Sequence, residues 1–337
     1  MRTAPVAVEL WRGDVVESRH RVHLMACTAE GAVRLVVGDA DLPVYPRSAI
    51  KPIQALPWVA QGGLHRFGLS LEELALACAS HAGEERHVRL VRAWLARLGL
   101  DPSHLVCAPH PPLSQKAAQR LAREGREPSR LHNNCSGKHA GMLTWTRLLD
   151  LPPSGYAQVH HPVQEGILAL LVRLAGEDPV AQAAVDGCGV PTWPFRLRAL
   201  ALLAARFACG VGLSRAERAA RVQILRACRR HPELVGGEGR ATTRLLRALP
   251  AGVVKEGAEG VYLGFFPEAG VGLALKVEDG AARAAEVAVA AALAHLGLWR
   301  DQRAALAFLQ REVFNHAGIR VGVLRPARGW PSGASAA

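Results

Sequence analysis

The chain has 337 residues, 50% hydrophobic and 21% charged, enough to bury a sizeable core in one large domain or two interleaved ones. This composition excludes intrinsic disorder of the body, and no apolar run reaches the roughly 18 residues of a membrane span. Forty-one basic against twenty-nine acidic residues give a net charge of +12, yet only 5% are aromatic and no nucleic-acid-binding pattern interleaves with the cations.

Residues 5–10, 14–27 and 32–38 alternate or run β-branched, with turn signals at WRGD and AEGA, and predict three antiparallel strands. Their start, MRTAPVAVELWRGD, lacks the apolar core and cleavage site of a secretory signal, so a soluble cytoplasmic protein is expected. Pro46 and Ser48 can open a helix ending near Gly62 and Gly63. From about 70 to 235 the pattern is helical, beginning with a capping box at Ser70 and Glu73. Helical periodicity follows at 85–99, 114–124, 138–149, 161–175, 193–209 and 214–230. Strands return as a meander over 252–280. A helix over 281–298, another around 301–312, a strand at 318–325 and a disordered tail over 327–337 complete the expectation.

Strands at both ends around a helical middle predict one α/β catalytic domain, 1–326. Its antiparallel sheet comes from 1–65 and 240–326, and a helical subdomain, 66–239, is inserted between them. A cleft between the two is the natural ligand site.

Only five of the 41 cations are lysines (51, 116, 138, 255 and 276). Arginine cannot lose its proton in a protein, so a site that needs a neutral amine must keep lysine. Lys51, Lys138 and Lys255 sit in Pro-flanked or Gly/Ser/Cys-rich contexts rather than on amphipathic faces. Ser48 and Lys51, at i and i+3, can share a helix face, and a desolvated lysine can activate a serine; the alternative is a capping serine beside a solvated lysine. Ser80 and His81 end an apolar helix and suit either a cleft wall or a plain terminus. His132–Gly141 packs two His, two Asn, a Cys, a Ser and a Lys among glycines. Cys135 there and Cys188 in Asp186–Gly189 are half of a tetrahedral zinc site, or two buried thiols. Seven cysteines at irregular spacing form no disulfide framework, in keeping with a reducing compartment.

Taken in order, RSAIKPIQALP, CASHAGEERH, HNNCSGKHAGML, DGCGVP, HPELVGG and VVKEGAEGVY, with GLALKVEDGAARA beyond, make the chain resemble the rhizobial-type L-asparaginase family (asparaginase II). The likeness spans residues 45–285, and the chain ends agree with it. It implies a serine β-lactamase/penicillin-binding-protein-like α/β fold and hydrolysis of the L-asparagine side-chain amide. It implies two Ser–Lys tandems, Ser48 with Lys51 and Ser80 with Lys255, with Ser48 as nucleophile. It further implies Zn2+ held by Cys135, Lys138 and Cys188 with water completing the shell, Arg47, Asn134, His139 and Asp186 around the substrate, and a homodimer. One departure is visible: where the family carries a Gly-Arg-Phe-Asp-Thr-like stretch, this chain reads Gly239-Arg240-Ala241-Thr242-Thr243, without the acid. The rival readings are a glutaminase, a β-lactamase or peptidase on the same scaffold, a non-catalytic basic ligand-binding domain, and a zinc-stabilised structural domain.

Overall fold

The computed structural model describes residues 3–249, 251–299 and 301–331, less the side chain of Gln302. The strands of its main sheet are β1 (Val6–Arg12), β2 (Val15–Thr28), β3 (Val33–Val37), β4 (Val253–Gly257), β5 (Val261–Phe266), β6 (Val271–Val277), β7 (Arg311–Phe314) and β8 (Arg320–Pro326). Among the described residues these form one eight-stranded antiparallel sheet in the order β7-β8-β1-β2-β6-β5-β4, with β3 also on β2. The first half of β2 alternates exposed and half-buried residues beside β1. Its second half, between β3 and β6, is buried on both faces. β5 and β6 are likewise buried almost throughout, which requires cover on both sides of the sheet.

Helix Leu197–Cys209 supplies one cover and the Ala-rich helix Ala282–His295 the other. The first packs so closely that a Cβ on Gly272 of β6 would collide with the backbone of Ala205 and Ala201. Gly272→Ala is therefore expected to destabilise the fold by about 1–3 kcal/mol or more, read as a lower midpoint in urea unfolding. Because that helix belongs to the inserted segment, sheet and insertion share one continuous core.

The capping box at Ser70 and Glu73 forms as expected, and helices at Glu85–Arg97, Gln115–Arg123, Ser136–Leu148, Pro162–Ala175 and Arg215–Arg230 follow the predicted periodicity. Three expectations change. The helix from Pro46 is broken into a 3-10 turn, Arg47–Ile50, and short helices Lys51–Gln54 and Leu56–Ala60. Pro52 and Pro57 each lie in the first turn of a new segment, as its second residue, where a missing N–H is harmless. The helix around 301–312 stops at Leu309, and Arg311–Phe314 instead pairs with β8 through a turn in which Asn315 Oδ1 accepts from the N–H groups of Ala317 and Ile319. The tail expected from 327 begins in the fold: the Ala327 N–H donates to the Ala7 carbonyl at 2.9 Å, and Trp330 packs against the core. Residues 332–337 lie outside the described residues. Short helices at Pro232–Gly236 and Ala241–Ala248 were not anticipated. No helix among the described residues is long and apolar enough to cross a membrane.

Candidate active site

Helix Leu71–Ala77 ends at Cys78, and the next two residues run into a cavity of about 470 Å³ whose wall includes Ser48, Ser80, Asn134, Arg240 and Glu256. Ser80 is fixed by its backbone: its N–H donates to the Val235 carbonyl at 2.9 Å, and its carbonyl accepts from Arg240 Nη1 at 2.7 Å. Two lysines from distant elements converge on its hydroxyl. Lys51 Nζ lies 3.2 Å from Ser80 Oγ, and also donates to the Ala79 carbonyl at 2.5 Å and to Cys135 Sγ at 3.1 Å. Lys255 Nζ, from β4, lies 2.8 Å from Ser80 Oγ and donates to the Glu256 carbonyl at 2.9 Å. Both amines are fully buried. Burial pushes Lys255 down to about 8, aided by the Lys51 charge, while Glu256 opposes the fall. The arrangement can move a proton: Ser80 Oγ accepts from an ammonium, and its O–H donates once an amine is neutral.

The expected Ser48–Lys51 hydrogen bond does not form among the described residues; the Lys51 amine is engaged with Ala79, Ser80 and Cys135 instead. Ser48 lies in the 3-10 turn that opens on the positive φ of Arg47, whereas Lys51 begins the next short helix and its side chain runs towards Ala79 and Cys135. Ser48 is half-buried on the cavity wall with its hydroxyl unengaged, directly after Arg47, whose φ of 50° is strained for a residue with a side chain. Gly257 allows β4 to lie against this turn, because a Cβ there would meet the Pro46 carbonyl at 2.7 Å.

Behind Lys51 lies the second cluster. Lys138 Nζ donates to Cys188 Sγ at 2.8 Å, and the Cys135 thiol hydrogen-bonds Cys188. That bond, against the cost of burial and with Lys138 alongside, draws Cys188 down to about 5; the same bond, with burial, pushes Cys135 up to about 12. Burial disfavours the Lys138 charge, but Cys188, Cys135 and Asp186 outweigh it and hold the ammonium. Among the described residues no group of three or more His, Cys, Asp or Glu could hold a metal ion. The set implied by the resemblance is completed only by Lys138. Two touching thiols and an amine are donors suited to a tetrahedral thiophilic ion with one open position, provided the protons of Cys135 and Lys138 are displaced.

Of the four residues expected around the substrate, Asn134 lines the cavity, whereas Arg47, His139 and Asp186 do not. Arg47 Nε pairs with Asp186 Oδ1 at 2.7 Å. His139 is fully buried with Nδ1 2.7 Å from Tyr156 Oη, and Nε2 has no partner among the described residues. Burial and the Lys138 charge push it down to about 3, so it is neutral. Sequence reasoning missed Arg240, Thr242 and Glu256, which meet beside Lys255. Glu256 stands inside VVKEGAEGVY, where an acid directly after a retained lysine was the available signal.

The model of the L-asparaginase II family matches residues 8–326, and the chain belongs to that family. No curated protein sequence matches it. Solved structures with a similar fold include Mglu in its native form (14% identity, 86% of this chain, TM-score 0.45) and in its glutamate form (16% identity, 84% of this chain and 61% of that chain, TM-score 0.46). The chain spans 63% of the length of native Mglu. A β-lactamase from Mycobacterium bovis is also similar (15% identity, 82% of this chain and 94% of that chain, TM-score 0.39).

Proposed function

We propose that the protein is an L-asparaginase that hydrolyses the side-chain amide of L-asparagine to L-aspartate and ammonia through an acyl-enzyme on Ser48. The observation that carries this reading is a serine hydroxyl, Ser80, held 2.8 and 3.2 Å from two buried amines at the edge of a cavity that also receives the unengaged Ser48. Ser80, pinned between amines and 5% exposed, is a relay; Ser48, with free lone pairs facing the cavity, is the attacking group.

In this mechanism Ser48 Oγ bonds to the amide carbon while its proton leaves through Lys51, Ser80 and Lys255. Contacts of this kind are often long without substrate and tighten on binding. The C–N bond then breaks, the leaving nitrogen regains that proton as ammonia, and water hydrolyses the ester by the reverse transfer. The Ser48 N–H and the backbone at Ala258, both on the cavity wall, are the candidate donors to the oxyanion, each worth about 3–4 kcal/mol where measured. The wall carries both charge signs, Arg240 and Arg244 against Glu259 and Glu286, as a zwitterionic substrate requires.

Cys135, Lys138 and Cys188 are proposed to hold Zn2+, whose chemistry when bound would be to tie the two loops and polarise an oxygen ligand. Its affinity should fall as pH drops, because all three donors must shed or lack protons. A homodimer is proposed on the family resemblance.

Ammonia release from asparagine and from glutamine, with and without chelator and with metal content measured, tests these points. Asparagine is expected to be preferred, but one methylene allows only about 10–200-fold discrimination. Equal or greater turnover of glutamine would reassign the substrate, and a chain that purifies without zinc and ignores chelator would end the metal proposal.

A further inference from the structure

Glu256 follows Lys255 on β4, and its side chain, 17% exposed, turns into the cavity wall. One end of the carboxylate, Oε2, accepts from the Thr242 hydroxyl. The other, Oε1, lies 3.1 Å from Lys255 Nζ but receives no aligned hydrogen bond. The pair is thus a contact of charges rather than a directed bond, with the amine fully buried and the carboxylate on the cavity wall.

The surroundings leave few other controls on this amine. Lys255 is faced by Lys51 from the short helix Lys51–Gln54, by Ser80 and Cys78 at the end of Leu71–Ala77, and by Arg240 from the loop before Ala241–Ala248. The two other cations repel its proton, and the Cys78 thiol, pushed well up by burial, stays neutral. Glu256 itself is faced by Lys255, Arg240, Thr242, Tyr262 and Glu286. Burial opposes its charge, but Lys255 and Arg240 outweigh that and hold it ionised.

We propose that Glu256 is a positioning residue for Lys255: anchored by Thr242, its carboxylate holds the amine against Ser80 and sets the pH at which that amine can accept a proton. The proposal rests on Ser80 and Lys255 being the working proton-transfer pair. The sign follows from the charges. A carboxylate beside an ammonium favours the protonated form, so neutralising Glu256 must let Lys255 lose its proton at lower pH.

The chain's five lysines make the test direct, because ¹³C labelling at lysine Cε gives one signal for each, and Lys255→Arg assigns the relevant one. In Glu256→Gln, which keeps the shape and a contact to Thr242, the Lys255 signal is expected to titrate about one pH unit lower than in the parent protein. The acid limb of kcat/KM for asparagine should move with it. Thr242→Val, which frees the carboxylate without removing it, should shift both in the same direction by less. A Lys255 signal that stays in place in both variants overturns the proposal, whatever the amidase activity. A signal that moves while the acid limb does not overturns it as well, since turnover would then titrate another group. An inactive parent protein would sink only the asparaginase reading, because the lysine titration is read without substrate.

Discussion

Ser48→Ala is expected to reduce ammonia release from asparagine by about 10⁴- to 10⁶-fold, the range seen when a serine nucleophile is removed, while the unfolding midpoint stays near that of the parent. Ser48 is half-buried and its hydroxyl has no hydrogen-bond partner among the described residues, so its loss strands none of them. Ser80→Ala should behave differently on both counts. As a relay, Ser80 contributes the about 10²- to 10⁴-fold typical of assisted proton transfer. Its removal also leaves two buried amines without their shared oxygen, at about 1–3 kcal/mol. If Ser80→Ala instead abolished turnover and Ser48→Ala retained it, the nucleophile would be Ser80, and Ser48 would become a substrate contact.

Lys255→Met should combine the largest loss of stability with a loss of rate. Methionine fills the space of the lysine stem, yet the Glu256 carboxylate, 3.1 Å from the amine, would lose its nearest opposing charge. Breaking a buried pair from one side costs about 3–5 kcal/mol, and the rate should fall about 10²- to 10⁴-fold. Adding Glu256→Gln removes the stranded charge, so the double variant should recover much of the stability and none of the activity. Urea unfolding with an amidase assay on the same samples reads both. Unchanged stability in the single variant would show that Arg240 and Thr242 suffice to hold Glu256 in its charged form.

Features written in contiguous residues were legible from sequence. The Ser70 capping box, the helix periods and the meander over 252–280 depend on neighbours within a few positions, and the structure has them. The sheet shared by both chain ends was legible because strands bracketed a helical run. The contacts of Lys51 were not. An i, i+3 argument sees only neighbours in sequence, whereas the Lys51 side chain finds its partners on the Ala79–Ser80 and Cys135 segments, 28 to 84 positions away. Arg47 and Asp186, 139 positions apart, form an ion pair, a contact that no local pattern in the sequence announces. Glu256 was hidden in a motif read for its lysine and glycines, and its partner Thr242 lies in the stretch where the chain departs from its relatives.

The burial of three of the five lysines has a practical reach. Lys51, Lys138 and Lys255 are sealed inside, and Lys276 is half-buried with its amine bonded to the carbonyls of Glu259 and Val277. Lys116 is the remaining lysine and stands exposed on helix Gln115–Arg123. Polymer conjugation or surface immobilisation through side-chain amines would therefore converge on a single handle and leave the native chain oriented uniformly on its support.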